Sequence, residues 1–335
     1  MGPIVDRRML LTAGAALGLT AALRPATAAG LRVAALFAGK VDDRGFMQAG
    51  YEGLVLAERQ AGATISFTQG IPPQPEALAA ALRALAQQGP DLVVAHGGQN
   101  NTAAKTVAAE FPDIAFVVTQ GNVTGANLAS YEVLQEQSAF LAGALAGLIT
   151  KTGVVGHMSG IRVTPGLKGR AGWAAGVAHT NPGAKLLTNF SGNQDDNALS
   201  KKVAGAMIAA GADIVFTMLN AGRMGAVEAC REAGAQQIGN VVDWTTIVPD
   251  VFVASACADS GRAVVQAVAD KAAGRLVPGT VRQVGLETPE AVRLTMAPRV
   301  PEAVRARIAA IAADIVAGRL TVPHDWSGTE FPTPA

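Results

Sequence analysis

The chain has little cysteine and little net charge for its length, and each shortage excludes a class of protein. Only two cysteines occur in 335 residues, Cys230 in a helical pattern and Cys257 at the end of a strand pattern. A disulfide framework therefore does not hold the fold together. The formal net charge is +1, with 27 Lys and Arg against 26 Asp and Glu. Without a basic run, this balance argues against nucleic acid or an anionic membrane surface as the partner.

Long apolar runs are missing after residue 30. No segment there reaches about 18 consecutive apolar residues without a charge, so neither a transmembrane helix nor direct membrane insertion is predicted. The first 29 residues have instead the pattern of a twin-arginine signal peptide. Arg7 and Arg8 precede an apolar run over 10–23, and small residues follow over 26–29.

This pattern predicts that the mature chain is exported to the periplasm; a membrane anchor or a cytoplasmic leader is the alternative. No cysteine follows the apolar run, which excludes a lipid anchor at that point. Twin-arginine cargo generally folds in a reducing compartment, so the two cysteines are expected to be buried thiols rather than a bridge.

Motifs of catalysis and of cofactor or metal binding are also absent. Ser159 stands one place too late for a G-x-S-x-G elbow, and the four histidines lack H-E-x-x-H or paired-cysteine spacing. The Gly97-Gly98 pair has neither the dinucleotide-binding spacing nor the lysine of a P-loop. A DNA-binding regulator would need a helix-turn-helix where the predicted signal peptide stands. We therefore expect no enzyme, no cofactor and no metal site.

From residue 31 onward, short β-branched runs alternate with alanine-rich helical patterns. This alternation is typical of a parallel sheet covered by helices. The first group of predicted strands covers 31–37, 64–68, 91–96, 114–118 and 127–131, with helices at 46–61, 75–88 and 101–111. The second group covers 153–158, 184–190, 213–218 and 236–242, with helices at 167–179, 196–210 and 223–233. Two doubly wound α/β lobes follow from this pattern.

The last part of the chain returns to the first lobe, so several crossovers between the lobes are expected. After residue 250 the pattern predicts a strand over 251–256, a helix over 260–273, strands near Val281 and Val292, and a helix over 301–318. We place 30–130 and about 255–280 in the first lobe, 131–254 and about 281–320 in the second, and a surface tail at 321–335. A hinge and a cleft between the carboxyl ends of the two sheets follow.

Several segments, taken in order, resemble a known family. They are VDDRGFMQAGYEG at 41–53, FPD at 111–113, SAFLAG at 138–143, TKTGVVG at 150–156, GADIVF at 211–216 and IG at 238–239. Over roughly residues 31–320 the chain is similar to the basic membrane protein family of ABC-transporter substrate-binding proteins, which includes purine nucleoside receptors. The resemblance implies a type I periplasmic binding fold with a three-crossover hinge and no catalytic activity.

The chain departs from the nucleoside-binding members of that family at three places. Those members usually carry Asn after the Phe of the first loop, an acidic residue beyond the late Ile-Gly-Val, and Lys after the last strand's Ser. In this chain the three positions hold Met47, either Val241 or Asp243, and Ala258. The polar set that would hold a ribose is largely missing, so the resemblance implies a divergent member.

Candidate ligand contacts in the first lobe follow the predicted strands. Asp43 could accept N–H bonds or cap a helix, and Phe46 could stack on a planar ring. His96 could donate or accept in the cleft or be a satisfied core residue, and Gly97 could let the backbone approach a ligand. Gln120 could bind a ligand or form a turn.

Candidate contacts in the second lobe are Trp173, Asn220, Asp243 and Trp244. Trp244 and Asp243 follow a predicted strand directly, so Trp244 is expected to face the cleft and to close an aromatic sandwich with Phe46. Asn220 could bind a ligand amide or cap a helix. Trp173 lies within a helical pattern, where ordinary packing is favoured over ligand contact.

The resulting hypothesis is a monomeric periplasmic receptor that delivers a small planar polar ligand to the permease of an ABC importer. A nucleobase, a nucleoside or a related heterocycle is expected. The alternatives are a sensor subunit for a membrane signalling protein, or a receptor for another aromatic or carboxylate metabolite.

Overall fold

A computed structural model describes residues 30–42 and 45–334. The predicted signal peptide at 1–29 and the candidate contact Asp43 lie outside the described residues. Among the described residues, no helix is both long enough and apolar enough to cross a membrane.

The first lobe is a parallel six-stranded sheet flanked by helices. Its strand order is β11-β5-β4-β3-β1-β2. The strands are β1 Arg32–Phe37, β2 Thr64–Thr68, β3 Leu92–His96, β4 Ala115–Thr119, β5 Leu128–Val133 and β11 Val281–Val284. Its helices are α1 Phe46–Ala61, α2 Pro75–Ala86, α3 Asn101–Glu110 and α9 Ser260–Ala272. The central strands read as continuous apolar runs because helices cover both faces of the sheet.

The second lobe has the same strand order, with one antiparallel strand at its edge. The order is β12-β10-β9-β8-β6-β7, and β12 pairs antiparallel with β10. The strands are β6 Val154–Ser159, β7 Lys185–Phe190, β8 Ile214–Met218, β9 Gln236–Val241, β10 Phe252–Ala258 and β12 Val292–Met296. The helices are α4 Gln135–Ile149, α5 Thr164–Thr180, α6 Asn197–Ala209, α7 Arg223–Ala233, α8 Trp244–Ile247 and α10 Glu302–Val316.

The described chain passes between the two sheets three times, at 133–135, 258–260 and 284–292. The strand pairing corrects the predicted lobe boundaries. All of β10 belongs to the second sheet although the boundary was placed at 255, and β11 pairs with β5 in the first sheet although 281 was assigned to the second lobe. A short strand's own sequence does not encode which sheet it joins: β10 joins its sequence neighbour β9, whereas β11 joins β5, more than a hundred residues earlier.

Helix α4 was not among the predicted helices. Twelve of its fifteen residues are buried, so it has no polar face and no amphipathic period. It packs closely on α5: a Cβ on Gly143 would lie 2.1 Å from the carbonyl oxygen of Trp173, and one on Gly176 would lie 2.0 Å from that of Phe140. Small residues on both helices let the two backbones approach.

Both cysteines are free and buried, as predicted. Burial raises the pKa of the Cys230 thiol to about 12 and that of Cys257 to about 11. Both thiols therefore stay protonated and unreactive at neutral pH.

Candidate ligand-binding cleft

A cavity opens between the lobes at the carboxyl ends of the strands of both sheets. The cavity is narrow, with an interior volume of about 60 Å³, below the range of about 300–1,000 Å³ that is usual for small-molecule sites. The lining residues follow β1, β3 and β5 in the first sheet and β6, β7, β8 and β9 in the second. They are Phe46, Met47, Gln99, Gln135, Ser159, Gly160, Ile161, Val163, Pro165, Gly166, Gln194, Met218, Asn220 and Asn240.

No charged side chain lines this cavity among the described residues. Its polar groups are the side-chain amides of Gln and Asn and the hydroxyl of Ser159, and its apolar groups include the rings of Phe46 and Pro165. Amides can donate and accept at once, whereas the burial of a charged ligand group needs a counter-charge. The described wall therefore suits a neutral polar molecule with an apolar or planar face.

Two polar atoms of the wall have no hydrogen-bond partner among the described residues. They are Nε2 of Gln135 and Oγ of Ser159, and both residues are at least nine-tenths buried. A buried polar group without a partner costs about 1–3 kcal/mol, so an unpartnered pair in a cavity wall favours a ligand that satisfies it. Sequence reasoning missed both residues as ligand contacts. For Ser159, the position at the end of the predicted strand was the available signal.

His96 supports Phe46 from behind rather than lining the cavity itself. Its ring is fully buried and stacks on the ring of Phe46 with centroids 4.3 Å apart. Its Nε2 lies 2.9 Å from the carbonyl oxygen of Phe46, and its Nδ1 lies 2.7 Å from Oγ1 of Thr119. Burial lowers the pKa of His96 to about 4, so the imidazole is neutral at physiological pH. His96 is thus a satisfied residue that fixes the aromatic wall.

The turn after β3 brings the two lobes into contact. Gly97 has φ +106°, which an L side chain rarely adopts. A Cβ on Gly98 would lie 2.7 Å from the carbonyl oxygen of Gln120 and 3.2 Å from Cδ of Pro165 in the other lobe. The backbone approaches the opposite lobe here, next to the cavity lined by Gln99.

Gln120 does not reach the cavity, and its amide binds the backbone. Its Nε2 donates to the carbonyl oxygen of Val133 at 3.0 Å, and its Oε1 accepts from the Val133 N–H at 2.5 Å. Gln120 holds φ +55°, a conformation uncommon outside glycine. The side chain thus ties the end of β4 to the first crossover instead of offering groups to a ligand.

The predicted sandwich of Phe46 and Trp244 is wrong. Trp244 is the first residue of the short helix α8, and its buried indole packs on Phe252, with ring centroids 5.4 Å apart. Its Nε1 donates to the carbonyl oxygen of Asn240 at 3.1 Å. Asp243 does not line the cavity either. Its carboxylate caps α8 and accepts hydrogen bonds from Thr245 N at 3.0 Å and from Thr295 Oγ1 at 2.8 Å.

Trp173 is likewise absent from the cavity. It is fully buried in α5, where its indole lies 5.1 Å from the ring of Phe216 and 6.1 Å from that of His157. Trp173 therefore has the ordinary packing role that its helical pattern favoured over ligand contact.

Asn220, in the loop after β8, and Asn240, near the end of the neighbouring strand β9, line the cavity. Helix α7 begins after Gly222 without a side-chain cap, so Asn220 does not have the capping role that was its alternative. Asn240 is oriented by the buried Arg223, whose guanidinium donates to its Oδ1 and, at 3.0 Å, to the carbonyl oxygen of Thr217. Asn240 was not predicted as a contact.

Known proteins are similar to this chain in sequence or in structure. Basic membrane protein A of Borreliella burgdorferi is 26% identical over 249 residues, which cover 69% of each chain. A solute-binding protein of an ABC transporter system from Aeropyrum pernix K1 has a similar structure, with TM-score 0.77 at 20% identity over 88% of this chain and 94% of that one. The Caulobacter myo-inositol binding protein, bound to myo-inositol, has TM-score 0.65 at 16% identity over 84% and 98%.

Two α/β lobes, three crossovers and a cavity between the carboxyl ends of their strands are the architecture of the type I periplasmic binding fold. The chain belongs to the PnrA-like family of ABC transporter substrate-binding proteins, whose model matches residues 31–325. The resemblance inferred from the sequence is confirmed.

Proposed function

We propose that this protein, exported to the periplasm, binds a small neutral heterocycle of nucleobase or nucleoside type and delivers it to the permease of an ABC importer. The observation that carries this proposal is the wall of the cavity, whose described residues are all uncharged. In it, the unpartnered Nε2 of Gln135 and Oγ of Ser159 share one cavity with the ring of Phe46. The ring of Phe46 offers a stacking face that His96 holds in place. The amides and the hydroxyl offer the donors and acceptors that a heterocycle's edge requires.

Binding between the lobes accounts for delivery. A ligand that contacts Phe46 and Gln99 of one lobe and Ser159 and Asn220 of the other favours the closed form by its differential contacts. Three crossovers allow such closure as a hinge motion, and a permease can recognise the closed surface.

A cyclic polyol is the second ligand class that the cavity supports. The same donors and acceptors can bind ring hydroxyls, and the Caulobacter neighbour of similar fold is bound to myo-inositol. A carboxylate ligand is disfavoured because no cation stands among the described lining residues.

The test is a thermal-shift screen of residues 30–335 against nucleobases, nucleosides, cyclic polyols, and aromatic and amino acids. A ligand at about 100 times its Kd adds about 2.7 kcal/mol to the free energy of unfolding, a shift of a few degrees for a chain of this length. We expect neutral heterocycles to stabilise the protein most. Stabilisation by carboxylates alone, or by none of these classes, would refute the proposal.

A further inference from the structure

Arg170 is a fully buried cation on α5 whose counter-charge comes from the far end of the chain. Its guanidinium lies 3.7 Å above the ring of Phe190 and donates to the carbonyl oxygen of Asn189. Its Nη1 lies 2.5 Å from Oε2 of Glu330, and among the described residues no other carboxylate pairs with it. Since a buried charge needs a partner, the position of the C-terminal segment is part of this site.

The C-terminal segment 326–334, here called the strap, lies along the edge strand β7. The Phe331 N–H donates to the carbonyl oxygen of Thr188 at 2.5 Å, and Thr188 Oγ1 donates to that of Thr329 at 2.8 Å. Nδ2 of Asn189 donates to the carbonyl oxygen of Phe331 at 2.9 Å. The strap therefore covers the open edge of the second sheet. The family match ends at residue 325, before the strap begins.

Glu330 also reaches the wall of the ligand cavity. Its Oε1 lies 3.4 Å from Nη1 of Arg162, and Arg162 stands between Ile161 and Val163, which both line the cavity. On the other side of this carboxylate, Phe190 lies beneath Arg170, with its Cε1 3.2 Å from where a Cβ on Gly166 would be. The Glu330 carboxylate thus binds the segment 159–166, here called the cavity loop, through Arg162, and binds α5, in whose first turn that segment ends, through Arg170.

We propose that Glu330 is a positioning residue: the strap, through its carboxylate, holds the cavity loop 159–166 in its binding geometry. This inference goes beyond the proposed function, because it concerns how the cavity wall is held rather than which molecule fills it. Loss of the carboxylate leaves Arg170 buried without a counter-charge and removes the ion pair of Arg162, whose guanidinium keeps its place over the ring of Phe190. The cavity loop then loses the ion pair that ties it to the strap.

Hydrogen–deuterium exchange of the ligand-free protein tests the proposal. We compare the unchanged chain with Glu330→Gln and with the control Asp325→Asn, whose carboxylate is 96% exposed. In Glu330→Gln, amides of the loop 159–166 should exchange at least about tenfold faster, while those of β1 and β3 stay unchanged. Asp325→Asn should match the unchanged chain. Equal exchange in the loop, or an equal acceleration in both lobes, would overturn the proposal.

Arg162→Gln is a second variant that leaves the buried pair intact. The Arg162 side chain is 54% exposed, so this change does not threaten folding. We expect amide exchange to be faster only in 159–166, and by less than in Glu330→Gln. If Glu330→Gln does not fold, unchanged exchange of this loop in Arg162→Gln would overturn the proposal. Because no ligand is added, these outcomes are independent of which compound binds in the cavity.

Discussion

At the scale of single residues, removal of the buried hydroxyl of Ser159 should affect ligand binding without lowering stability. It lines the cavity with no partner among the described residues. Ser159→Ala removes an unsatisfied group, so the free energy of unfolding of the ligand-free protein should stay unchanged or rise slightly. The affinity for the compound that gives the largest thermal shift should fall about five- to tenfold, the usual effect of one lost hydrogen bond.

Titration calorimetry measures this loss of affinity. Ser66→Ala, an exposed serine on β2 of the first lobe, is the matched control and should leave the affinity unchanged. Equal affinity in Ser159→Ala and Ser66→Ala would show that the hydroxyl does not contact the ligand.

His96 makes stability depend on pH. Its folded pKa is about 4 because of burial, whereas an unfolded histidine has a pKa near 6.5. Between these values the unfolded state binds more protons, so stability falls as pH falls from about 6.5 to 4, by up to roughly 3 kcal/mol from this group. Urea unfolding across that window should show a shallower fall in His96→Gln. If the free energy of unfolding fell equally with pH in both proteins, the lowered pKa of His96 would be contradicted. His157, also buried with a lowered pKa, contributes equally to both proteins.

The residues of the site were only partly predictable. Phe46 and Asn220 follow strand ends, and the structure places both on the cavity wall. Trp244 also follows a strand, but one helical turn folds its indole back onto Phe252, and no sequence pattern marks that reversal. Gln135 and Ser159 carry no motif. Their importance comes from burial without a partner, which only the packed structure shows.

At the scale of secondary-structure elements, the close contact of α4 and α5 depends on glycine. A Cβ on Gly176 would lie 2.0 Å from the carbonyl oxygen of Phe140, so Gly176→Ala must push the helices apart. We expect a loss of about 1–3 kcal/mol in the free energy of unfolding. Gly205→Ala in α6 is the control, because its Cβ would meet nothing within 4 Å. That change should stabilise by about 0.5–1 kcal/mol through helix propensity.

Chemical denaturation of both variants checks this contrast. If Gly176→Ala were as stable as Gly205→Ala, the tight helix pair would be refuted.

The same packing explains why α4 was not predicted: a helix buried on nearly every side has no polar face, and hydrophobic periodicity reveals only helices that have one. The buried strands were predicted instead from short β-branched runs that alternate with helical patterns.

At the scale of the whole molecule, side chains of one lobe contact the other beside the cavity. Nζ of Lys168 on α5 binds the Glu132 carboxylate on β5, and both side chains are largely buried. Gln283 of β11 donates to the same carboxylate at 2.9 Å. The two-lobe plan was predictable from the repeated alternation of strands and helices. The sheet that β11 joins was not, because its partner β5 precedes it by more than a hundred residues.

The central claim is that the ligand bridges the two lobes in the described cavity. Hydrogen–deuterium exchange with the compound that stabilises most in the thermal-shift screen tests it most directly. The account predicts slower exchange in both lobes at the strand ends, around Phe46 and Gln99 in one and around 159–166 and Asn220 in the other. Protection confined to one lobe, or located away from these loops, would contradict it.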